Sequence, residues 1–346
     1  MRNTGTHKLT GVKLFTDETG ILQHSKYGVI DRRHGYCTDD NARALMAAVR
    51  HHQRYGGDEA LRLAKRYLEF LLYMHTDAGF HNQLSYDRRY LDERGTEDSI
   101  GHALWAAGCT VNSGAPPMLR RLSRTLFDES LPTARGFTSP RGNAFTLLGL
   151  CEYSRAHPGD ANLRKEAARF TGFLVDRYRD NAEPGWMWFE DYVTYAGPRL
   201  PQALLEAGGL LDDQALTDIG KESLGFLAET TFIDRVFHPV GTEGWYTRGG
   251  ERAVYDQQPI EAACMVEACT TAHKMLDDEA YLEHARRAFQ WFHGANSLGL
   301  PLVDRENYTC YDGLTPEGLN QNKGAESTIS YLLADLSLAA GSQRRI

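Results

Sequence analysis

A Gly-aromatic pair, then a polar and acid-bearing stretch, then a helix rich in small residues: this pattern returns along the whole chain. The pairs are Gly35-Tyr36, Gly79-Phe80, Gly136-Phe137, Gly185-Trp186 and Gly244-Trp245, with Gly299-Leu300 as a weaker sixth copy. The stretches after them read CTDDNARALMAAV, TEDSIGHALWAAG, SPRGNAFTLLGL, TYAGPRLPQALLEA, DQQPIEAACMVEA and NKGAESTISYLLADLSLA. A period of roughly 45–65 residues means one supersecondary unit repeated, with neighbours sharing a core. It also gathers six polar helix starts at one end of a single assembly.

Between these helices lie others of different character. DEALRLAKRYLEFLLYM, from Asp58 to about Met74, has apolar residues at helical spacing and charges on the other face. The same pattern spans Pro117 to about Phe127, Asn162 to about Tyr178, Asp213 to about Thr230 and Asp278 to about Phe292. Helices packed with Ala, Gly, Ser and Cys let neighbours approach on both sides, as an inner ring requires. The amphipathic ones suit an outer layer. This predicts six inner helices and five outer ones. Residues 1–30 are expected to pack on or close the ring, and 31–346 to form one toroid domain; a second copy or a partner domain is the other way to complete it. Thr96 and Ser139 are expected caps, Pro140 suits a first helical position, and Asp39, Asp40, Glu97 and Asp98 suit first turns. Loops before inner helices are expected to be long, about 15–25 residues, with short hairpins; loops of that length are usually functional.

Composition narrows the partners. A net charge of −8, with no basic run interleaved with aromatics, argues against nucleic acid or an anionic membrane. No apolar run approaches the roughly 20 residues of a membrane span, and the opening MRNTGTHKLTGVKLF has no secretory apolar core. Cys37, Cys109, Cys151, Cys264, Cys269 and Cys310 are dispersed and form no CxxC pair. They read as reduced thiols of a cytoplasmic protein. No HExxH, EF-hand or phosphate-binding glycine loop is present, so neither metal nor cofactor is expected.

Alternating inner and outer helices, with aromatic-acidic loops before each inner one, resemble the six-hairpin glycosidase-like (α/α)6 toroid superfamily. The resemblance covers about residues 30–340. It implies an all-α toroid with a carbohydrate in its central cavity. The superfamily includes glycoside hydrolases, catalytic domains of phosphorylases, some polysaccharide lyases and sugar epimerases, so the chemistry stays open.

Glycoside hydrolysis usually uses two carboxyl groups, one to donate a proton and one to activate water or attack carbon. The long-loop end offers Asp39-Asp40, Glu97-Asp98, Glu190-Asp191, and Asp256 with Glu243 near it in sequence. Adjacent acids at a helix start point about 100° apart, so at most one of each pair faces the centre. A single such acid is explained by helix capping; acids at four of six inner-helix starts are not. The catalytic candidates are Asp39, Asp40, Asp98, Asp191 and Asp256, with Asp40 or Asp39 expected to pair with Asp256 or Asp191. Sugar rings stack on aromatics and need paired polar groups. Tyr36, Trp186, Trp188, Trp245 and Tyr246 are the expected rim, and Trp105 and Trp291 the expected core. Polar candidates are Arg32, Arg33, His34, Asn41, Arg43, Glu97, Glu190, Glu243, Gln257, Gln258, Asn320, Asn322, Lys323 and Glu326. Arg43 is also placed to hold a neighbouring acid.

The leading expectation is a glycoside hydrolase acting on an oligosaccharide. The second is a sugar epimerase or isomerase using His102, His238 or His34; His81 also lies near the long-loop end. The third is a non-catalytic carbohydrate-binding domain.

Overall fold

Small residues decide which helices form the inner ring. The computed structural model describes residues 6–341; the first five residues of the 1–30 segment and the last five of the chain lie outside the described residues. The helices are α1 (Thr10–Phe15), α2 (Thr38–Tyr55), α3 (Asp58–Met74), α4 (Glu97–Val111), α5 (Pro117–Ala134), α6 (Pro140–Ala156), α7 (Ala161–Asn181), α8 (Arg199–Leu211), α9 (Gln214–Thr231), α10 (Pro259–Leu276), α11 (Glu279–Gln290) and α12 (Ala325–Gly341). Each even-numbered helix packs on the next, and α12 returns to α2, so six inner helices close a ring. Helices α3, α5, α7, α9 and α11 each pack outside their hairpin partner. The short α1 lies against α12. There Lys8 pairs with Asp335 at 2.6 Å, and Thr16 shares a hydrogen bond with Tyr67 of α3 at 2.7 Å. The described part of the N-terminal segment thus packs against α12 and α3.

Burial follows the two residue patterns. In α4 every residue from Ser99 to Val111 is buried, whereas α3 buries one stripe that includes Ala60, Ala64, Tyr67, Leu68 and Leu71. The closest inner crossing is α4 on α6. A methyl group on Gly149 would lie 2.9 Å from the Leu104 carbonyl oxygen, and one on Gly108 would strike the Gly149 carbonyl. The two backbones therefore touch, and a side chain has nowhere to go. Gly149→Ala is expected to destabilise the fold by about 1–3 kcal/mol. A fall in the urea midpoint at unchanged slope would register it; an unchanged midpoint would mean that the crossing is looser than described.

Expected helix starts are seen. Thr96 accepts from Ser99 N–H, Ser139 accepts from Gly142 N–H, and Pro140 opens α6. Loop lengths fall short of expectation at one place and exceed it in the links into α10 and α12. The link from α5 to α6 is only Arg135–Ser139, because α5 continues through Pro132 to Ala134. The other five links into inner helices are long. Some fold into hairpins, such as His75–Thr76 with Gly79–Phe80. Others pair across neighbouring loops: Tyr36–Cys37 with Gln83–Leu84, and Tyr192–Val193 with Tyr246–Thr247. Bridges His24↔Gly324 and Gln257↔Leu314 extend this zipping. The loops thus form a collar around one mouth of the ring. Among the described residues, no helix is long and apolar enough to cross a membrane.

Candidate active site

All six inner helices begin at the collar, so their positive dipole ends converge there. A cleft of about 290 Å³ opens at this mouth. Helix α2 contributes Asp39, Asp40 and Arg43, and α12 contributes Glu326 and Ser327. Asp256 and Gln258 come from the link into α10, Asp312 and Asn320 from the link into α12, Gln23 and His24 from the N-terminal segment, and Gln83 from the link into α4. Below the cleft the axis is filled by Met46, His102, Trp105, Phe145, Arg199, Ile260 and Leu333. The site is therefore a cup and not a tunnel.

Arg43 is its hub. The buried guanidinium meets Asp39 at 3.3 Å, Asp40 at 3.1 Å and Glu326 at 2.7 Å. Burial opposes ionisation of Asp39, but the Arg43 charge outweighs it and holds the carboxyl below the usual range. Asp40 is more deeply buried, and desolvation pushes its carboxyl up despite Arg43; Cys37 Sγ donates to it at 3.1 Å. Unequal burial beside one arginine thus separates two adjacent acids into an ionised Asp39 and a more basic Asp40.

Asp256 has no such cation. Its Oδ1 is buried without a hydrogen-bond partner. A methyl group on Gly313 would come within 2.6 Å of that oxygen, so the glycine makes room for the carboxyl. Burial, with the negative charges of Glu243 and Asp312, pushes Asp256 up to about 6. Asp312 is also raised by burial and accepts from Ser327 Oγ at 2.7 Å. A buried polar atom without a partner is rare enough to need a reason. Here the residue lines a cleft that also holds the ionised Asp39.

His102 lies under the cup. Its Nδ1 donates to the Asp98 carbonyl at 3.0 Å, its ring lies 3.8 Å from that of Phe145, and burial with the Arg43 charge lowers it to about 3. It is a neutral ring in the floor. Burial lowers His24 as well; it is the histidine whose side chain lines the cleft among the described residues.

Several sequence candidates lie elsewhere. Asp191 is exposed on the outer face of the collar and pairs with Arg248 at 3.1 Å, while Glu190 turns inward and pairs with buried Arg141 at 2.9 Å. Asp98 is half-buried, accepts from Ser139 Oγ at 2.9 Å and is raised by burial. Its neighbour Glu97 accepts the Thr138 and Ser139 N–H groups and so ties α4 to the start of α6. Glu243 is exposed beyond Asp256. Lys323 is held by Asp304 at 2.7 Å over the Tyr311 ring, and Asn322 accepts from Tyr27 N–H at 3.4 Å. Neither points into the cleft. Gln257 is fully buried and accepts from Trp291 Nε1 at 3.0 Å. Asn41 is a buried anchor for the N-terminal segment, accepting from Ile21 N–H at 3.0 Å. Arg33 bonds Asp31 on the surface, Arg32 covers Tyr86, and exposed His34 meets His24 edge-on. His81 stacks on Tyr90, and His238 does not line the cleft.

The aromatic rim is the clearest correction. Tyr36, Trp186 and Trp188 are buried in the core. Their polar tips are satisfied internally: Tyr36 donates to Asp17 at 2.7 Å, Trp186 to the Glu190 carbonyl at 2.8 Å and Trp188 to the Tyr192 carbonyl at 3.0 Å. Trp245 and Tyr246 are half-buried against the same core. In the repeat, glycine lets the chain turn and the aromatic plugs the loop onto the helices. The expected core residues Trp105 and Trp291 are buried. The cleft lining carries no Phe, Tyr or Trp among the described residues. His24, Gln23, Gln83, Asp312 and Ser327 had no signal in the repeat pattern, since they sit in the N-terminal segment, in loops, or beside an acid already chosen. Among the described residues, no three His, Cys, Asp or Glu side chains converge as metal ligands would.

No family model matches the sequence, and no curated protein matches it. Solved structures do match in shape. A cellobiose 2-epimerase from Bacillus thermoamylovorans B4167 superposes with TM-score 0.75 at 12% identity over 98% of each chain. A D-mannose isomerase gives TM-score 0.72 at 12% identity over 97% of each chain. An inactive variant of the α-1,6-mannanase of Salegentibacter sp. HEL1_6, with two adjacent aspartates replaced and α-1,6-mannotetrose bound, gives 0.69 at 11% identity over 98% of each chain. These identities speak for fold alone, and the fold of this chain is an (α/α)6 toroid.

Proposed function

We propose that the protein is a glycoside hydrolase that cleaves an oligosaccharide bound in the collar cleft. The observation that carries this reading is the contrast between Asp256, raised to about 6 with an unpartnered buried oxygen, and Asp39, held ionised by Arg43. Environments that push two carboxyls apart assign acid and base. Asp256 gives its proton to the glycosidic oxygen as the bond to the anomeric carbon breaks, and the alcohol leaves neutral. Asp39 works on the other side of the sugar, taking a proton from the attacking water or attacking carbon itself. The adjacent pair Asp39-Asp40 also fits the mannanase whose variant with adjacent aspartates replaced is inactive. The six cysteines are buried and unbonded, which suits the cytoplasm we propose as its setting.

The pH profile tests the assignment. Asp256 must be protonated to act, so kcat/KM should fall about tenfold per pH unit above about 6. Asp39 must be ionised, so the acid limb should lie below the usual carboxylate range. A plateau reaching pH 8 would remove Asp256 from the role of acid.

A second reading, sugar epimerase or isomerase, rests on His24. Its neutral ring lines the cleft beside Asp312 and Glu326, and a cleft without stacking surfaces suits a single sugar. Product analysis separates the two. Hydrolysis creates new reducing ends, whereas epimerisation changes a monosaccharide without cleavage.

A further inference from the structure

The opposite mouth of the ring holds a second and larger cavity, of about 640 Å³. It lies where the inner helices end, between α2, α6, α8, α10 and α12, and is lined by Arg50, Arg54, Glu152, Glu206, Glu267 and Lys274 with polar groups between them. Glu267 is buried and bridges Arg50 and Arg199, which both lie over the Trp105 ring. Glu206 and Glu152 are both taken by Arg155. Each acid in the lining therefore already has its arginine. Arg54 and Lys274 remain, with no carboxylate at ion-pair distance among the described residues. Around them stand the Gln202 amide and the hydroxyls of Thr270, Thr271 and Ser337.

Cations in the last turn of a helix serve its dipole wherever they stand. That accounts for neither the cavity between them nor the buried Arg50–Glu267–Arg199 bridge beneath it. Ion pairs of this kind stabilise no better than apolar packing of the same volume. A ring end serving only as packing would be filled as the α4–α6 crossing is. Two unpaired cations call for an anion. The Gln202 amide and the Thr270, Thr271 and Ser337 hydroxyls already bond Arg199, Glu206, the Glu267 carbonyl and one another, but each hydroxyl keeps an acceptor lone pair that a polyol O–H can use.

We propose that this cavity binds a small hydroxylated anion of the chemical class of a sugar phosphate, at a site separate from the cleft. The proposal does not rest on the reading of the cleft. Glucose 6-phosphate and inorganic phosphate, each titrated calorimetrically into the intact protein, are the probes. Saturable one-to-one binding is expected, tighter for glucose 6-phosphate, and weakened at least about tenfold in both Lys274→Gln and Arg54→Gln. Circular dichroism of each variant checks its fold, and the second serves if the first fails to fold. Binding should persist in Asp256→Asn, because that residue lies at the other mouth. The proposal is overturned if neither probe binds saturably, if binding survives both cation replacements, or if it is lost in Asp256→Asn.

Discussion

Replacing Asp256 by asparagine should lower turnover about 10²–10⁴-fold, the range over which a positioned acid contributes, and leave the protein as stable as before or slightly more so. The two halves of this expectation share one cause. Asp256 has no cationic partner, its Oδ1 has no donor, and Glu243 and Asp312 add negative charge around it. An amide of the same shape removes the charge that the site disfavours, so the native state loses nothing. It also removes the proton that, on the proposed reading, leaves with the alcohol. A residue kept at a cost to stability for the sake of chemistry behaves in this way. Rates from a reducing-end assay and a urea midpoint on the same variant decide it. A variant that loses stability along with activity would make Asp256 a structural residue.

Arg43→Gln should have the largest effect on stability, about 3–5 kcal/mol, because it leaves a buried charge cluster uncompensated. The guanidinium holds Asp39, Asp40 and Glu326 at once and is nearly inaccessible to water. Without it three carboxyls of α2 and α12 face one another, and α2 loses its polar tie to α12 at the ring closure. Arg43→Lys keeps the charge but not the fork, so it should fall between wild type and Arg43→Gln. Turnover should fall in Arg43→Gln, where Asp39 loses the charge that holds it ionised, and less in Arg43→Lys, which keeps that charge. Denaturant midpoints at unchanged slope give the order; if Arg43→Gln is as stable as wild type, Arg43 is not the hub described.

The ring itself was legible because its cause is local and repeated. Helices that must touch on both sides need Ala and Gly, and α4 and α6 carry Gly101, Gly108, Gly142 and Gly149 where they cross. Caps at Thr96 and Ser139 were readable for the same reason. Asp39, Asp40 and Asp256 were found because they stand at or just before the first turns of inner helices. Asp312 and His24 were not. What brings them together is pairing between loops distant in sequence, such as the bridge from His24 to Gly324, and no local pattern encodes it. Asp191 was misjudged because the chain turns between it and Glu190, sending one acid to Arg141 inside and the other to Arg248 outside. Trp186 and Trp188 were misjudged because a ring beside glycine and acids suits a sugar platform and a core plug equally well. Burial decides between them, and here both rings are in the core.

On the reading proposed above, the cup at the collar breaks a glycosidic bond with Asp256 as its acid. The most direct test of that reading is a proton NMR time course of the intact protein with gluco- and manno-oligosaccharides of both anomeric linkages. New reducing-end anomeric signals, growing with wild type and absent with Asp256→Asn, are the predicted result. Sugars whose linkages all persist while the configuration at a ring carbon changes would contradict it and hand the cleft to His24.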